Sequence, residues 1–564
     1  MTTSTDILRL RGTQQQMGHQ HGSLVRQLGG WEDVVAYYPS MPKGMLFPTA
    51  SLGPVERVAR GAMTPLLGLA LRRLYSARPA EYRERTEAFG EALGVDQSRA
   101  PDLGVMDVAQ NFIGTLTRLG LVPFAQRAAS ALPPMCSSLA VWGRASEDGR
   151  VLHGRNFDFP GQGIWERRPA VVFCTPDTGV KYGFVTTRGA DTPGVTSFNE
   201  AGITLAAHTR FHRDVRFDGR SVIDLGHDLI RRAESLDDAI RIARELPSAS
   251  SWGFLVSSAR ERDAVLLELT GSRVEVTRAG RGEDFLGHTN RYRHPALQVD
   301  EVTPAAAWIA HSDGRYASLM AGIARHAAEG LGVDELCALF GSHIDGWTGA
   351  EEVGGGVLAQ PDTVQSVVVD PEHRALHIGV GDTPVSRTAW TKLDWSWDGP
   401  SLDEVPAPAA SGFDSRFIDG PAAEAWKLWA EACRLEYTGV NLDRIERNLE
   451  RATELDPSEG WYRMIAGTLA LRRGDFDAGL THLQAGIGTE RSEFRRGQLL
   501  LWASRAAQVT GRPDDAQAHR QQLLGLAHPL LASHRQAALR ESSVPMAARK
   551  MVGVPINITL GDAG

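Results

Sequence analysis

The stretch Pro133-Pro134-Met135-Cys136-Ser137-Ser138-Leu139-Ala140-Val141-Trp142-Gly143 decides how the chain is read. Two prolines stop any helix arriving from the N-terminal side, because each lacks an N–H and fixes φ. Past Cys136 the pattern turns apolar and β-prone, so a strand is expected over 139–143. Asp148-Gly149 then supplies a turn, and a second strand ends in Gly154-Arg155-Asn156-Phe157-Asp158. A thiol at the head of a hairpin, with an Arg and an Asp near the hairpin's far end, is a nucleophile's layout. Cys136 lies deep inside the chain. If it works with a free α-amine, the Met135–Cys136 bond must break first, and the chain is the precursor of a self-processing enzyme.

The bulk numbers are those of a globular protein. The chain has 564 residues, 42% hydrophobic and 23% charged, enough for two or three domains. A net charge of -8 is mild and spread out, which argues against a nucleic-acid partner. No apolar run reaches the ~18 residues of a membrane helix; the closest, 63–71, is stopped by Arg72-Arg73. Residues 1–16 are polar and lack a secretory apolar core, so a cytoplasmic protein with no membrane partner is expected. Of the four cysteines, Cys174 sits in an apolar strand run and Cys337 and Cys433 on apolar helix faces, and all three read as core residues. Cys136 is flanked by Pro, Met and Ser instead. His19 and His21 fall on different helix faces, and Gly354-Gly355-Gly356 lacks the Lys-Ser/Thr of a phosphate loop. Nothing calls for a metal or an organic cofactor.

Residues 1–135 read as mostly helical after an extended start at Ile7-Leu8-Arg9-Leu10. Helices are expected at about 13–28, 65–75, 81–93 and 107–119. Residues 136–397 change character. Strands are expected at 139–143, 151–156, 170–174, 183–187, 194–199, 203–207, 253–257, 264–269, 274–279, 364–370 and 375–380. Helices are expected at 222–233, 236–245, 316–328 and 333–340. Strands in runs interleaved with helices in runs predict an α+β fold of antiparallel sheets flanked by helices. Residues 398–414, rich in Pro, Ala and Gly, read as a linker. Beyond it, 415–540 is helical, with 541–564 as a tail. Gly439, Gly474 and Gly511 each precede an Asp or Asn and an apolar helix at spacings of 35 and 37 residues. That resembles tetratricopeptide repeats, whose period is about 34; a plain helical bundle is the alternative.

The order Cys136, Gly154-Arg155-Asn156-Phe157-Asp158, Phe198-Asn199-Glu200-Ala201-Gly202-Ile203, Thr289-Asn290, Arg315 resembles choloylglycine hydrolases and acyl-coenzyme A:6-aminopenicillanate acyltransferases. Both are N-terminal-nucleophile (Ntn) hydrolases. Gly12-Thr13-Gln14-Gln15-Gln16-Met17-Gly18-His19-Gln20-His21-Gly22 and Thr363-Val364-Gln365-Ser366-Val367-Val368-Val369-Asp370-Pro371 favour the acyltransferase branch. The resemblance spans about 6–390. It implies a four-layer αββα sandwich, followed here by the all-α helical-repeat domain, and autocatalytic cleavage between Met135 and Cys136. It also implies a small amide or acyl thioester as substrate. Cys136 would be the nucleophile, Asp158 would hold its α-amine, Arg155 would polarise the thiol, Asn290 would donate to the oxyanion, and Arg315 would order the surroundings. Where bile-salt hydrolases place a second Asn, this chain reads Ala207-His208-Thr209-Arg210, leaving His208 or Thr209 as the second oxyanion donor.

Each residue also has a structural reading. Arg155 could pair with a surface carboxylate, Asp158 could cap a turn, and Asn290 could be a turn residue; Asn199-Glu200-Ala201-Gly202 reads as a β-turn. A different class of function is a scaffold. There the Ntn fold would be a relic, and the helical repeats would bind a protein partner or a second copy of the chain.

Overall fold

The computed structural model describes residues 4–39, 46, 54–132, 136–408, 415–438, 442–552 and 556–563. Met135, the Pro133-Pro134 pair and Gly439 lie outside the described residues. The strands of the two large sheets are β1 (Ser4–Gly12), β2 (Cys136–Val141), β3 (Leu152–Asp158), β4 (Pro169–Pro176), β5 (Tyr182–Thr187), β6 (Thr196–Asn199), β7 (Ile203–Thr209), β8 (Trp252–Ser258), β9 (Asp263–Leu269), β10 (Val274–Arg278), β11 (Phe285–His288), β12 (Thr363–Asp370), β13 (Ala375–Val380), β14 (Ala389–Asp394) and β15 (Leu402–Pro406). They build a nine-stranded sheet, β10-β9-β8-β7-β6-β5-β4-β1-β15, and a six-stranded sheet, β11-β2-β3-β12-β13-β14. Pairing is antiparallel except for β1 with β4.

The period-two alternation of each strand shows how the layers stack. Val171, Phe173, Val185 and Phe198 of the large sheet cluster with Val367, Val369, Leu376 and Ile378 of the small one, so these faces meet in the middle. The alternate residues Val172 and Cys174 join the helical core of the N-terminal segment. Leu139, Val141, Leu152 and Val368 pack on Leu319, Leu336 and Phe340 of helices Ala306–Arg325 and Val333–Phe340. Helices, sheet, sheet and helices therefore lie in four layers. Helix Gln14–Leu28 starts with a capping box, Thr13 bonding Gln16 N–H and Gln16 reaching back to Thr13 N–H.

Three strands of the two large sheets escape the sequence pattern. β11 is four residues long, β14 alternates apolar and polar residues at its sheet's edge, and β15 lies inside the expected linker. Leu402-Asp403-Glu404-Val405-Pro406 is charged and carries a proline, which an edge strand tolerates and a central one does not. Its partner is β1, with Ile7 opposite Asp403 and Leu8 opposite Leu402. Helix Ala306–Arg325 begins well before the expected 316, so Arg315 sits mid-helix.

The C-terminal region is α-helical, ending in a short two-stranded sheet of Ile556–Asn557 against Asp562–Ala563. Helices Gly420–Thr438, Leu442–Leu455, Gly460–Arg473, Phe476–Thr489, Glu493–Val509 and Pro513–Leu524 each pack against the next in sequence. Gly474, at φ +86°, ends its helix in the left-handed region that a side chain resists. This region is docked on the sandwich. Arg387 lies 4.5 Å over the Trp426 ring, Trp426 Nε1 donates to Val353 O at 3.2 Å, and Asn557 Nδ2 donates to Ser130 O at 3.2 Å. Buried Arg495 bonds Glu352 of the sandwich and Glu490 of the helical region, both at 2.8 Å. Arg495→Met should leave two buried carboxylates without their cation and destabilise by about 3–5 kcal/mol. Urea unfolding followed by tryptophan fluorescence measures it; an unchanged midpoint would show that this contact does not hold the two regions together.

Candidate functional site

Strand alternation sorts the site residues onto two faces. In the β2–β3 ladder Cys136 opposes Phe157, Ser137 opposes Asn156, and Ser138 opposes Arg155. Opposed residues share a face. Cys136, Ser138, Arg155 and Phe157 therefore point between the sheets, while Ser137 and Asp158 point toward helix Ala306–Arg325 and Asn156 donates to Phe340 O and Leu358 O on the same outer side. All of these positions are buried, with Arg155 at 2% and Asp158 at 0% exposure, so neither meets a surface partner.

On the inner face, Arg155 Nη2 donates to Cys136 Sγ at 3.4 Å and to Ala207 O at 2.7 Å, and Nη1 donates to Val195 O. Two carbonyls of the large sheet thus aim the guanidinium at the thiol. Burial pushes the Cys136 thiol up, and Arg155 opposes that shift. Burial also pulls Arg155 below its ordinary value. His208 Nε2 is 2.9 Å from Ser138 Oγ, and burial followed by the charges of Arg155 and Arg210 keeps its imidazole neutral.

On the outer face, Arg315 is the hub. Its Nη1 donates to Cys136 O at 2.5 Å and to Ser137 Oγ at 2.8 Å; Nη2 donates to Asn290 Oδ1 at 2.9 Å, and Nε to His311 Nδ1 at 3.2 Å. Nη1 also lies 3.8 Å from Asp158 Oδ2. His311 and Arg315 are four apart on one helix, a spacing that puts them on one face and that sequence alone displays. His311 Nε2 is in turn 3.1 Å from Gln360 Oε1. Thr363 donates to Asp158 Oδ1 at 2.6 Å. Burial raises Asp158 to about 7, against the opposing pull of Arg315.

Asn290 follows β11, with Ser312 Oγ accepting its backbone N–H at 3.3 Å. Its Oδ1 accepts from the Cys136 N–H at 3.0 Å as well as from Arg315. Two donors at one end fix which way the amide faces. Nδ2 donates to Thr209 O at 3.3 Å and has a second N–H to offer. In the uncut chain the backbone N–H of Cys136 is therefore on Asn290; the role expected of Asp158 concerns the free α-amine that follows cleavage. His208 is turned onto Ser138, and the carbonyl of Thr209 faces Asn290. Asn199 to Gly202 forms the expected turn, Gly202 N–H donating to Asn199 O at 3.1 Å.

Cys136, Arg155, Asn290 and Arg315 are therefore one hydrogen-bonded constellation drawn from β2, β3, the end of β11 and one helix, and Asp158 joins it as the counter-charge 3.8 Å from Arg315. Residues 144–313 match the family model for acyl-coenzyme A:6-aminopenicillanic acid acyl-transferase. The matched stretch takes in Arg155, Asp158 and Asn290; Cys136 and Arg315 lie just outside it. No curated protein matches the chain. Among the described residues, a cleft of about 680 Å³ lined by His343, His377, Trp390 and Ser415 touches none of the five. No helix among those residues is long and apolar enough to cross a membrane.

Proposed function

We propose that the chain is a self-processing Ntn cysteine enzyme that hydrolyses an amide or transfers an acyl group to an amine. The observation that carries this is the buried Cys136, whose Sγ is held by Arg155 and whose backbone N–H is held by Asn290. In the precursor the thiol attacks the Met135 carbonyl carbon. The C–N bond breaks as the C–S bond forms, the nitrogen takes a proton, and water then cleaves the thioester. Asn290 Oδ1 already holds the nitrogen that becomes the α-amine. That amine, with an ordinary pKa of about 7.7–8, serves as the base for the next thiol attack. The spare N–H of Asn290 is the oxyanion donor on this reading, and Arg155 stabilises the thiolate. No metal or organic cofactor enters any step.

The test is the intact mass of the purified full-length chain with N-terminal sequencing of any fragment. A large fragment beginning at Cys136 is the expected result; a chain that stays whole under all conditions removes this reading. Screening of amides and acyl thioesters, with and without an added amine, then separates hydrolysis from transfer. Asn290→Ala should lower kcat by about 10²–10³-fold with little change in KM, counted only over cleaved enzyme. An unchanged kcat takes Asn290 out of the oxyanion site.

A further inference from the structure

Gly354-Gly355-Gly356, which is no phosphate loop, has a place in the fold that the mechanism above does not use. It is wedged between helix Ala306–Arg325 of the sandwich and the C-terminal helices. A Cβ on Gly354 would come within 3.2 Å of the Trp461 ring, and one on Gly355, at φ +80°, within 2.8 Å of Arg495 Nη1. On the other side, a Cβ on Gly356 would lie 3.0 Å from the Cα of Gly314, the residue before Arg315. Gly356 N–H donates to Asp345 Oδ2 at 3.1 Å, and Gly356 O accepts from Ser318 Oγ at 2.7 Å. The loop is packed from both sides, so only glycines fit it.

The carbonyls of this loop aim one side chain. Gln360 is 1% exposed and donates from Nε2 to Gly355 O at 3.2 Å and to Val357 O. An amide meets two carbonyls only with its NH₂ end, so Oε1 is the end left facing His311 Nε2, 3.1 Å away. Oε1 only accepts, so His311 Nε2 carries the imidazole proton. Across the ring, Arg315 Nε only donates, so His311 Nδ1 must be bare. Both contacts demand the same neutral tautomer. An imidazolium would set N–H against N–H at Arg315; burial, followed by the charge of Arg315, holds the ring neutral. The main chain of Gln360 reaches the other half of the site. Its N–H donates to Thr363 Oγ1 at 3.1 Å, which leaves the Thr363 proton for Asp158.

We propose that Gln360 is a positioning residue: its amide fixes His311 as the Nε2–H tautomer, His311 gives Arg315 Nε its acceptor, and Arg315 is thereby held on the carbonyl of Cys136 and on Asn290. The C-terminal helices bear on the same chain of contacts, because Trp461 and Arg495 press on the loop whose carbonyls aim Gln360. The effect on self-cleavage rests on the proposed function; the tautomer does not.

The full-length chain gives two readouts. With isotope-labelled histidine, nitrogen–proton NMR correlations report the tautomer, and the His311 signals are those lost in His311→Asn. The Nε2–H form is expected in the wild type; an Nδ1–H form or an imidazolium at neutral pH would overturn the proposal. The second readout is a time course of self-cleavage. His311→Leu removes the acceptor and should slow cleavage at least about tenfold, since Arg315 loses one of the bonds that fix its fork. His311→Asn sets Oδ1 where Nδ1 stood and should recover most of that loss. A residue needed only to fill space would not show this rescue, because Asn is smaller than Leu.

Gln360→Met should slow cleavage by a similar factor alone and add little in the His311→Leu background, because both changes act through Arg315. Wild-type cleavage in His311→Leu, or effects of the two changes that multiply, would overturn the proposal. Should Gln360→Met not fold, the tautomer and the comparison of Leu with Asn at 311 decide it. A wild type that never cleaves would sink the proposed function, while the tautomer would still decide whether Gln360 orients His311.

Discussion

Cys136→Ala is expected to purify as one uncut chain with no measurable turnover, and the wild type is expected to give two chains divided between Met135 and Cys136. Cys136 is buried and is the residue that Arg155 Nη2 and Asn290 Oδ1 both address. Deleting Sγ removes the atom that forms the new bond in cleavage and in turnover alike. The loss in kcat should be of the order of five to six decades, the size seen when a covalent nucleophile is removed from a hydrolase triad. The fold should survive, because a missing sulfur leaves a cavity smaller than a deleted Leu side chain and costs about 1–2 kcal/mol. Cys136→Ser should cleave slowly, since a hydroxyl is the poorer nucleophile. Intact mass, N-terminal sequencing and a melting curve on the three proteins read all of this. Two chains from Cys136→Ala would assign the cut to a contaminating protease and take the self-cleaving role from Cys136.

The hairpin that carries Cys136 was legible because its pattern is local. Two prolines, a β-prone run and Asp148-Gly149 fix β2 and β3 with no help from the rest of the chain. The alternation within β3 was legible too. Arg155 and Asp158 are an odd number apart and so must leave the strand on opposite faces. What that alternation meets across space was not. The acceptors that aim Arg155, the carbonyls of Val195 and Ala207, are backbone atoms of another sheet and leave no trace in residue type. For the same reason nothing in the sequence shows that the backbone N–H of Cys136 is held by a neutral amide 154 residues away. β15 was hidden by its composition: an edge strand on one neighbour needs no apolar run, and five residues with two acids and a proline look like a connector.

Arg315 is where the second large effect is expected, because it is the residue on which both faces of the site depend. It is fully buried and spends its donors on Cys136 O, Ser137 Oγ, Asn290 Oδ1 and His311 Nδ1, with Asp158 as its counter-charge. Arg315→Met keeps the bulk and removes every one of these bonds. Asp158 is then left buried without its cation, and Asn290 loses one of the two donors that hold its amide in place. Breaking a buried pair from one side costs about 3–5 kcal/mol. Here the lower end is expected, because burial already holds Asp158 near neutrality and a proton can take up the rest. Self-cleavage should slow by at least about 100-fold, the cost of losing a positioned donor group. Arg315→Lys separates charge from geometry. A lysine restores the cation beside Asp158, but a compact ammonium on a flexible stem cannot span the carbonyl of Cys136, the hydroxyl of Ser137 and the amide of Asn290 together. Stability should therefore recover in part while cleavage stays slow. Denaturant midpoints and a cleavage time course on both variants measure the two quantities independently. Wild-type cleavage in Arg315→Lys would reduce Arg315 to a counter-ion for Asp158, and wild-type cleavage in Arg315→Met would take it out of the site.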